Sequence, residues 1–272
     1  MKLSLCTTCM GRAHHVQQTL PHNLADCVDW SRPNAVEFVL LDYSSRDGLA
    51  EWITTDPGLR PYLDAGILRF ARTEGHPHFR HSHAKNMAHM LATGDYVCNV
   101  DADNFVGKGF VDYLRAVFVR RPNAIVTSNR ADVRLNRGPY KGCMGRVALS
   151  KDNFLMLGGY DESDRFRGWS GEDGDLLIRA IRKYLWPVIL RDRRFLRVVL
   201  HSDLERIMLT DYDSIDAALA QIHSLDGSNM KTVFRYIADR AVAPRVVNRG
   251  REIGAGLVTW PHEDRDDLRW SA

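Results

Sequence analysis

Short apolar runs alternate with amphipathic stretches along most of this chain, and their spacing predicts a strand, loop, helix order. Leu3 and Leu5 alternate with polar neighbours from Lys2 to Thr7, a first strand, and a turn at Gly11 leads into a helix to about Val28 that Pro21 kinks. Val36–Leu41 is a near-continuous apolar run, the mark of a central strand covered on both faces, and it ends in Asp42-Tyr43-Ser44-Ser45-Arg46-Asp47-Gly48. A helix over Leu49–Thr54, a break at Pro57-Gly58 and a strand at Ile67–Phe70 follow. Met87, Met90 and Leu91 lie at helical spacing, predicting a helix over Ala84–Thr93 with Gly94 as its C-cap. Tyr96 to Val100 then reads as a buried strand that stops at Asp101-Ala102-Asp103.

Further along, Phe110–Val119 predicts an amphipathic helix and Ala124–Thr127 a strand, while Gly142–Leu149 is glycine-rich and then β-prone. Leu176, Leu177, Ala180, Ile181, Tyr184 and Leu185 form an apolar stripe ending before Pro187, which places Glu172 and Asp173 at a helix N-terminus, where the dipole favours carboxylates. Val188–Leu190 and Phe195–Leu200 predict two more strands, the second ending at His201. Past about Thr210 the texture shifts to short helices near Ser214–Ile222 and Asn229–Arg240, then to a tail with Gly250, Gly254, Gly256, Trp260 and Trp270. The pattern predicts an α/β protein with a Rossmann-like, mostly parallel sheet over residues 1–210 and a small helical extension or lid over residues 211–272.

Composition narrows the function classes. Apolar residues make up 44% of the 272 and charged residues 26%, ordinary for a globular protein. The net charge of +3 comes from 37 basic and 34 acidic side chains that are interspersed, which excludes a nucleic-acid footprint. The basic run Arg191, Arg193, Arg194 and Arg197 reads as a solvated strand edge sooner than as a contact with an acidic membrane surface. Met1-Lys2-Leu3-Ser4-Leu5 runs straight into strand-like sequence without a signal-peptide core, and no stretch reaches the roughly 18 apolar residues of a membrane helix. A cytoplasmic location is expected, with peripheral membrane attachment as the variant the basic run leaves open. The five cysteines are expected as reduced thiols, and Cys6 and Cys9 as core residues on opposite faces of one strand rather than half a zinc site.

Carboxylates thus collect at element ends, where open α/β sheets hold ligands. Asp-x-Asp by itself is more often a pair of solvated loop acids. Beside a histidine such as His201, however, Asp103 offers the hard donors that suit Mg²⁺ or Mn²⁺, and phosphate oxygens and water can complete such a site. A carboxylate held apart from the metal can then act as general base. His76, His78, His81 and His83 match no standard ligand spacing and read as a mobile loop over the site.

Several motifs in fixed order carry a resemblance: Thr8-Cys9-Met10-Gly11-Arg12, the Asp42–Gly48 turn, Ala84-Lys85-Asn86, Asp101-Ala102-Asp103, Pro139-Tyr140, Ala148-Leu149-Ser150-Lys151, Gly158-Gly159-Tyr160 and Gly168-Trp169-Ser170-Gly171-Glu172-Asp173. From about residue 3 to 205 the chain resembles the GT-A glycosyltransferases of family 2, with a motif region like that of the β-1,4-galactosyltransferases. The resemblance implies a metal-dependent, inverting transfer of a hexose or N-acetylhexosamine from a nucleotide sugar, by default a UDP-sugar, to an acceptor hydroxyl on a glycan, lipid carrier, peptide or small molecule. It implies Asp173 as catalytic base, Glu172 as acceptor-binding carboxylate and Trp169 as the platform over both substrates. Asp103 and His201 are the implied metal ligands and Asp101 a contact to ribose or a metal-bound water. Arg12 and Lys85 are expected to face the diphosphate, and Thr7 and Asp42 the nucleotide base. The small Cys143 is expected near the sugar 2-substituent, leaving room for an N-acetyl group. Two other readings are a sugar nucleotidyltransferase, which has no need of the Trp169–Asp173 run, and a catalytically silent nucleotide-sugar-binding module.

Overall fold

The computed structural model describes residues 1–128, 142–168, 171–212, 214–225, 244–262 and 268–270. In chain order the strands are β1 (Leu3–Cys9), β2 (Val36–Tyr43), β3 (Leu68–Thr73), β4 (Tyr96–Asn99), β5 (Asn104–Phe105), β6 (Ala124–Thr127), β7 (Val147–Ser150), β8 (Trp186–Ile189), β9 (Arg197–Val198), β10 (Gly256–Val258) and β11 (Leu268–Trp270). The helices are α1 (Ala13–Cys27), α2 (Leu49–Thr55), α3 (Arg60–Asp64), α4 (His81–Leu91), α5 (Phe110–Arg120), α6 (Lys151–Met156), α7 (Glu172–Arg182), α8 (Asp203–Ile207) and α9 (Ile215–Leu225). Seven strands form one sheet in the order β3-β2-β1-β4-β7-β6-β8. Within it β1 pairs in parallel with β2 and β4, β2 with β3, and β6 with β8, while β7 runs antiparallel to both neighbours.

The apolar runs make this sheet because they supply both faces. Leu5, Phe38 and Leu40 pack with Val16, Leu20 and Leu24 of α1 on one side, and Cys6, Val39 and Leu41 pack with Met87, Ala88 and Leu91 of α4 on the other. Cys6 and Cys9 fall in these two different cores, as strand alternation requires, and the five cysteines are buried free thiols. The chain goes from β1 to β2 on one side and returns to β4 on the other, so a crevice opens beyond the C-terminal ends of β1 and β4. Residues 244–262 come back onto the α4 side: Thr259 bridges to Arg72, and Val258 and Trp260 are buried in that core. Among the described residues no helix is long and apolar enough to cross a membrane.

Four local expectations change. Pro21 lies inside a continuous α1 rather than interrupting it. Gly94 is not a helix cap, since the residue ending α4, Ala92, is extended; a Cβ at Gly94 would stand 2.5 Å from Ser4 Oγ, so close strand approach explains the glycine. The apolar run Phe195–Leu200 is mostly not strand: it starts in a 3₁₀ turn at Arg193–Phe195 and pairs only through β9, because Phe195, Leu196 and Val198 are buried by packing rather than by a long ladder. The histidines at 76–83 do not form one loop, because His81 and His83 already belong to α4. Pro187 is tolerated within β8 because that strand is the sheet edge. Pro139-Tyr140, Trp169 and the helix expected over Asn229–Arg240 lie outside the described residues.

Candidate active site

The acidic pair sits where β4 runs out. Val100 N–H still donates to Cys6 O at 2.9 Å, and the chain then turns, with Asn104 N–H donating to Asp101 O at 2.9 Å. Asp103 is buried; its Oδ2 lies 2.9 Å from His201 Nε2 and its Oδ1 accepts from Asn104 Nδ2 at 2.7 Å. His201 arrives there because β9 pairs antiparallel with β5, immediately after Asp103, and Val199 N–H donates to Asp103 O at 2.7 Å. Asn104 is held in turn by Arg146, a buried guanidinium that donates to Asn104 Oδ1 at 3.0 Å and Phe105 O at 3.1 Å. Burial alone would raise the Asp103 carboxyl, but His201, Arg12 and Asn104 outweigh it and hold it below its ordinary value. Asp101 goes the other way, raised by burial and by Asp103 against the pull of Lys85 and Asn99. Its side chain requires Gly145 opposite, where a Cβ would come within 2.3 Å of Asp101 Oδ2.

A second group of charges faces this pair from α4 and α7. Gly171 precedes α7 at φ +105°, a conformation suited to glycine, and delivers Glu172 and Asp173 into the first turn. The buried Lys85 Nζ lies 2.7 Å from Glu172 Oε1, 2.8 Å from Asp173 Oδ1 and 4.0 Å from Asp101 Oδ1, over the ring of Tyr160. One ammonium therefore serves three carboxylates. Burial opposes ionisation of Glu172, but Lys85 and His81 bring its carboxyl down to about 2. Asp173 is pushed well above the carboxylate range by burial and by Glu172 and Asp101, even with Lys85 beside it. Burial and the neighbouring carboxylates thus favour the protonated form of Asp173, and Lys85 opposes them.

The remaining expected residues line the crevice wall or lie behind it. Asp42 is fully buried at the end of β2, accepts from Ser45 N–H at 2.8 Å and has Arg72 Nε at 3.8 Å. Thr7 is partly exposed near the end of β1. Arg12, just before α1, donates through a guanidinium N–H to Glu205 O at 2.8 Å. Lys85, expected toward a diphosphate, is instead committed to the α7 carboxylates. Cys143 is buried, its thiol pushed up to about 12 by burial, and its carbonyl accepts from Arg146 N–H at 3.1 Å. Sequence reading missed Asn99, Asn104, Gly145 and Arg146, whose roles depend on contacts across the sheet. It also missed Asp47, whose Oδ2 accepts from Ala13 N–H at 2.7 Å at the start of α1, and His15, whose ring lies 5.2 Å from that of His201.

Asp103 Oδ2 and His201 Nε2 fit a divalent cation. Their 2.9 Å separation is close to the roughly 3 Å between neighbouring ligands on an octahedron with bonds of about 2.1 Å. An acidic oxygen and an imidazole nitrogen also suit Mn²⁺.

The chain matches the family model described as glycosyl transferase family 2 over residues 4–184. Comparison with curated proteins gives no match. Among solved structures, residues 1–349 of TarS from S. aureus in complex with UDP superpose at a TM-score of 0.56 with 15% identity, covering 85% of this chain and 73% of that one. The mannosyltransferase PcManGT from Pyrobaculum calidifontis, in complex with GDP-Man and Mn²⁺, gives 0.56 with 18% identity over 89% and 76%. Glucosyl-3-phosphoglycerate synthase from Mycobacterium tuberculosis, in complex with Mg²⁺ and UDP, gives 0.53 with 16% identity over 89% and 80%. At these identities the likeness shows the shared GT-A fold, a mostly parallel seven-stranded sheet flanked by helices.

Proposed function

The chain belongs to glycosyl transferase family 2, and from that premise we propose that it moves a hexosyl or N-acetylhexosaminyl group from a nucleotide sugar to an acceptor hydroxyl with inversion. The observation that carries the reading is the Lys85 bridge. It ties Glu172 and Asp173 of α7 to Asp101, two residues from the Asp103–His201 pair, so a candidate base and a candidate leaving-group site share one crevice. Every residue in these roles falls within residues 1–210, to which we assign catalysis.

Asp173 takes the proton from the acceptor hydroxyl as the acceptor oxygen bonds to the anomeric carbon and the bond to the nucleoside diphosphate breaks, a single displacement that inverts the centre. Lys85 holds Asp173 in place, and Glu172 receives the acceptor beside it. Asp103 and His201 are the residues to hold Mg²⁺ or Mn²⁺; when bound, such an ion supplies positive charge for the departing diphosphate. Asp101 faces the nucleotide. Arg12 lies at the phosphate side of the β1–α1 turn, and Thr7 and Asp42 lie beside the nucleotide base. A UDP-sugar is the favoured donor, since UDP occupies two of the three structures compared above and GDP-Man the third.

Thermal shift with Mn²⁺ and a panel of UDP- and GDP-sugars, followed by assay of free nucleoside diphosphate on adding acceptors, tests the reading. A donor-specific shift that Asp103→Asn removes is the expected result. Equal binding of donors to the wild type and Asp103→Asn chains would remove the metal site from the proposal, and no binding of any nucleotide sugar would overturn the whole reading.

A further inference from the structure

A second set of donors converges where the start of α1 meets α8. His14 Nε2 and His15 Nε2 stand 3.0 and 3.2 Å from the same Glu205 Oε1. These three atoms lie within 4.8 Å of one another, the only such trio of potential metal ligands among the described residues, and neither Asp103 nor His201 joins it. Consecutive helical residues project about 100° apart and do not ordinarily face one partner. Here both imidazoles do, with ring centroids 4.2 Å apart and tilted by 48°. An ordinary surface ion pair needs only one of them.

The spacing and chemistry suit a cation. With bonds of about 2.0 to 2.1 Å, neighbouring ligands on a tetrahedron lie about 3.4 Å apart, near the separations observed. Two imidazoles and a carboxylate form a donor set for zinc-like ions, with the fourth position left to water. His14 is more than half exposed and gives access from solvent.

We propose that His14, His15 and Glu205 form a second cation site, selective for a borderline divalent ion such as Zn²⁺ over Mg²⁺, that fastens α8 to the start of α1. The surrounding contacts fit a fastening role. Arg12 reaches from the same turn to the Glu205 carbonyl, and a Cβ at Gly11 would meet Leu209 Cδ1 at 2.4 Å, so the segment around α8 lies directly on the β1–α1 turn. The site stands beside the Asp103–His201 pair, the His15 and His201 rings being in contact. His15 Nδ1 is buried with no hydrogen-bond partner among the described residues, so no second hydrogen bond there fixes its ring.

The experiment is Zn²⁺ binding to the full chain by equilibrium dialysis in an Asp103→Asn background, which removes the crevice site and keeps the three donors. Retention of about one Zn²⁺ per chain is expected, with Co²⁺ in its place giving the visible absorption of a tetrahedral ion. Adding His14→Gln at its exposed position, or Glu205→Gln, should weaken binding by more than about tenfold and abolish that absorption, with far-UV circular dichroism unchanged. Absence of Zn²⁺ from the Asp103→Asn chain, or unchanged affinity after His14→Gln, would overturn the proposal. Because the crevice ligand is already removed, neither outcome depends on the donor-metal reading.

Discussion

Two lysine–carboxylate clusters, each built on a buried carboxylate, occupy opposite ends of the same sheet, and they differ in how well their charges balance. At the N-terminal ends of β1 and β2, Glu37 is completely buried and accepts from Ser4 Oγ, Thr93 N–H and Thr93 Oγ1 at 2.6 to 2.7 Å, with Lys2 Nζ at 2.6 Å. Burial would raise its carboxyl, yet these partners bring it below its ordinary value. At the C-terminal ends, Lys85 is the one cation that pairs with Glu172, Asp173 and Asp101 among the described residues. A cluster that serves only the fold has a partner for each charge. In the other, carboxyl groups outnumber the ammonium, and Asp173 and Asp101 are both raised because their full ionisation is unbalanced, which suits a site that takes up a positively charged or proton-losing partner.

The largest expected effect tests the unbalanced end. Asp173→Asn should lower kcat by about 10² to 10⁴-fold while UDP affinity by calorimetry stays unchanged; equal loss of both would assign Asp173 to nucleotide binding. Lys85→Met leaves the buried Glu172 and the partly buried Asp173 and Asp101 without their ammonium and should cost about 3 kcal/mol in urea unfolding. It should also move the acid limb of kcat/KM upward, because Lys85 pulls the Asp173 carboxyl down and its removal lets that carboxyl hold its proton to higher pH. An acid limb that stays in place would separate Lys85 from the base.

At the balanced end, Glu37→Gln should cost about 1 to 3 kcal/mol of stability with kcat unchanged, and a fall in kcat would erase the distinction between the ends. A gradual, pH-dependent effect concerns His89 on α4, whose ring stacks on Phe154 and whose ionisation burial holds down at about 3. Below about pH 6.5 the unfolded chain takes up this proton and the folded chain does not, so His89 removes about 1.4 kcal/mol of stability per pH unit down to about pH 3. In His89→Gln the acid-side slope of stability against pH should be shallower by that amount.

Much of the fold was legible because its strands are continuous apolar runs and its helices carry clear stripes. β2 and β4 and the helices α5 and α7 follow directly from Val36–Leu41, Tyr96–Val100 and the spacing of Phe110, Leu114, Leu176 and Ala180. The reversal of β7 was not legible, since a run of four residues, Val147 to Ser150, carries no direction. Asp103, His201 and Asp173 could be named because carboxylates and a histidine mark element ends. Arg146, Asn104 and the trio of His14, His15 and Glu205 could not, because their partners are set by tertiary packing alone. The five-residue α8 carries too little periodicity to announce which face meets α1.

The contacts that finish the crevice divide the chain into two dependent parts. Residues 1 to 103 supply strands β1 to β4 together with Arg12, Lys85, Asp101 and Asp103, but Lys85 meets Glu172 across 87 residues, Asp103 meets His201 across 98, and Arg12 meets the Glu205 carbonyl across 193. The pairing of β1 with β4 spans a similar distance, from Leu3 to Tyr96. A fragment ending before residue 171 would therefore contain the residues of β1 to β4 and half of the charged groups, yet none of the partners that hold those groups in place.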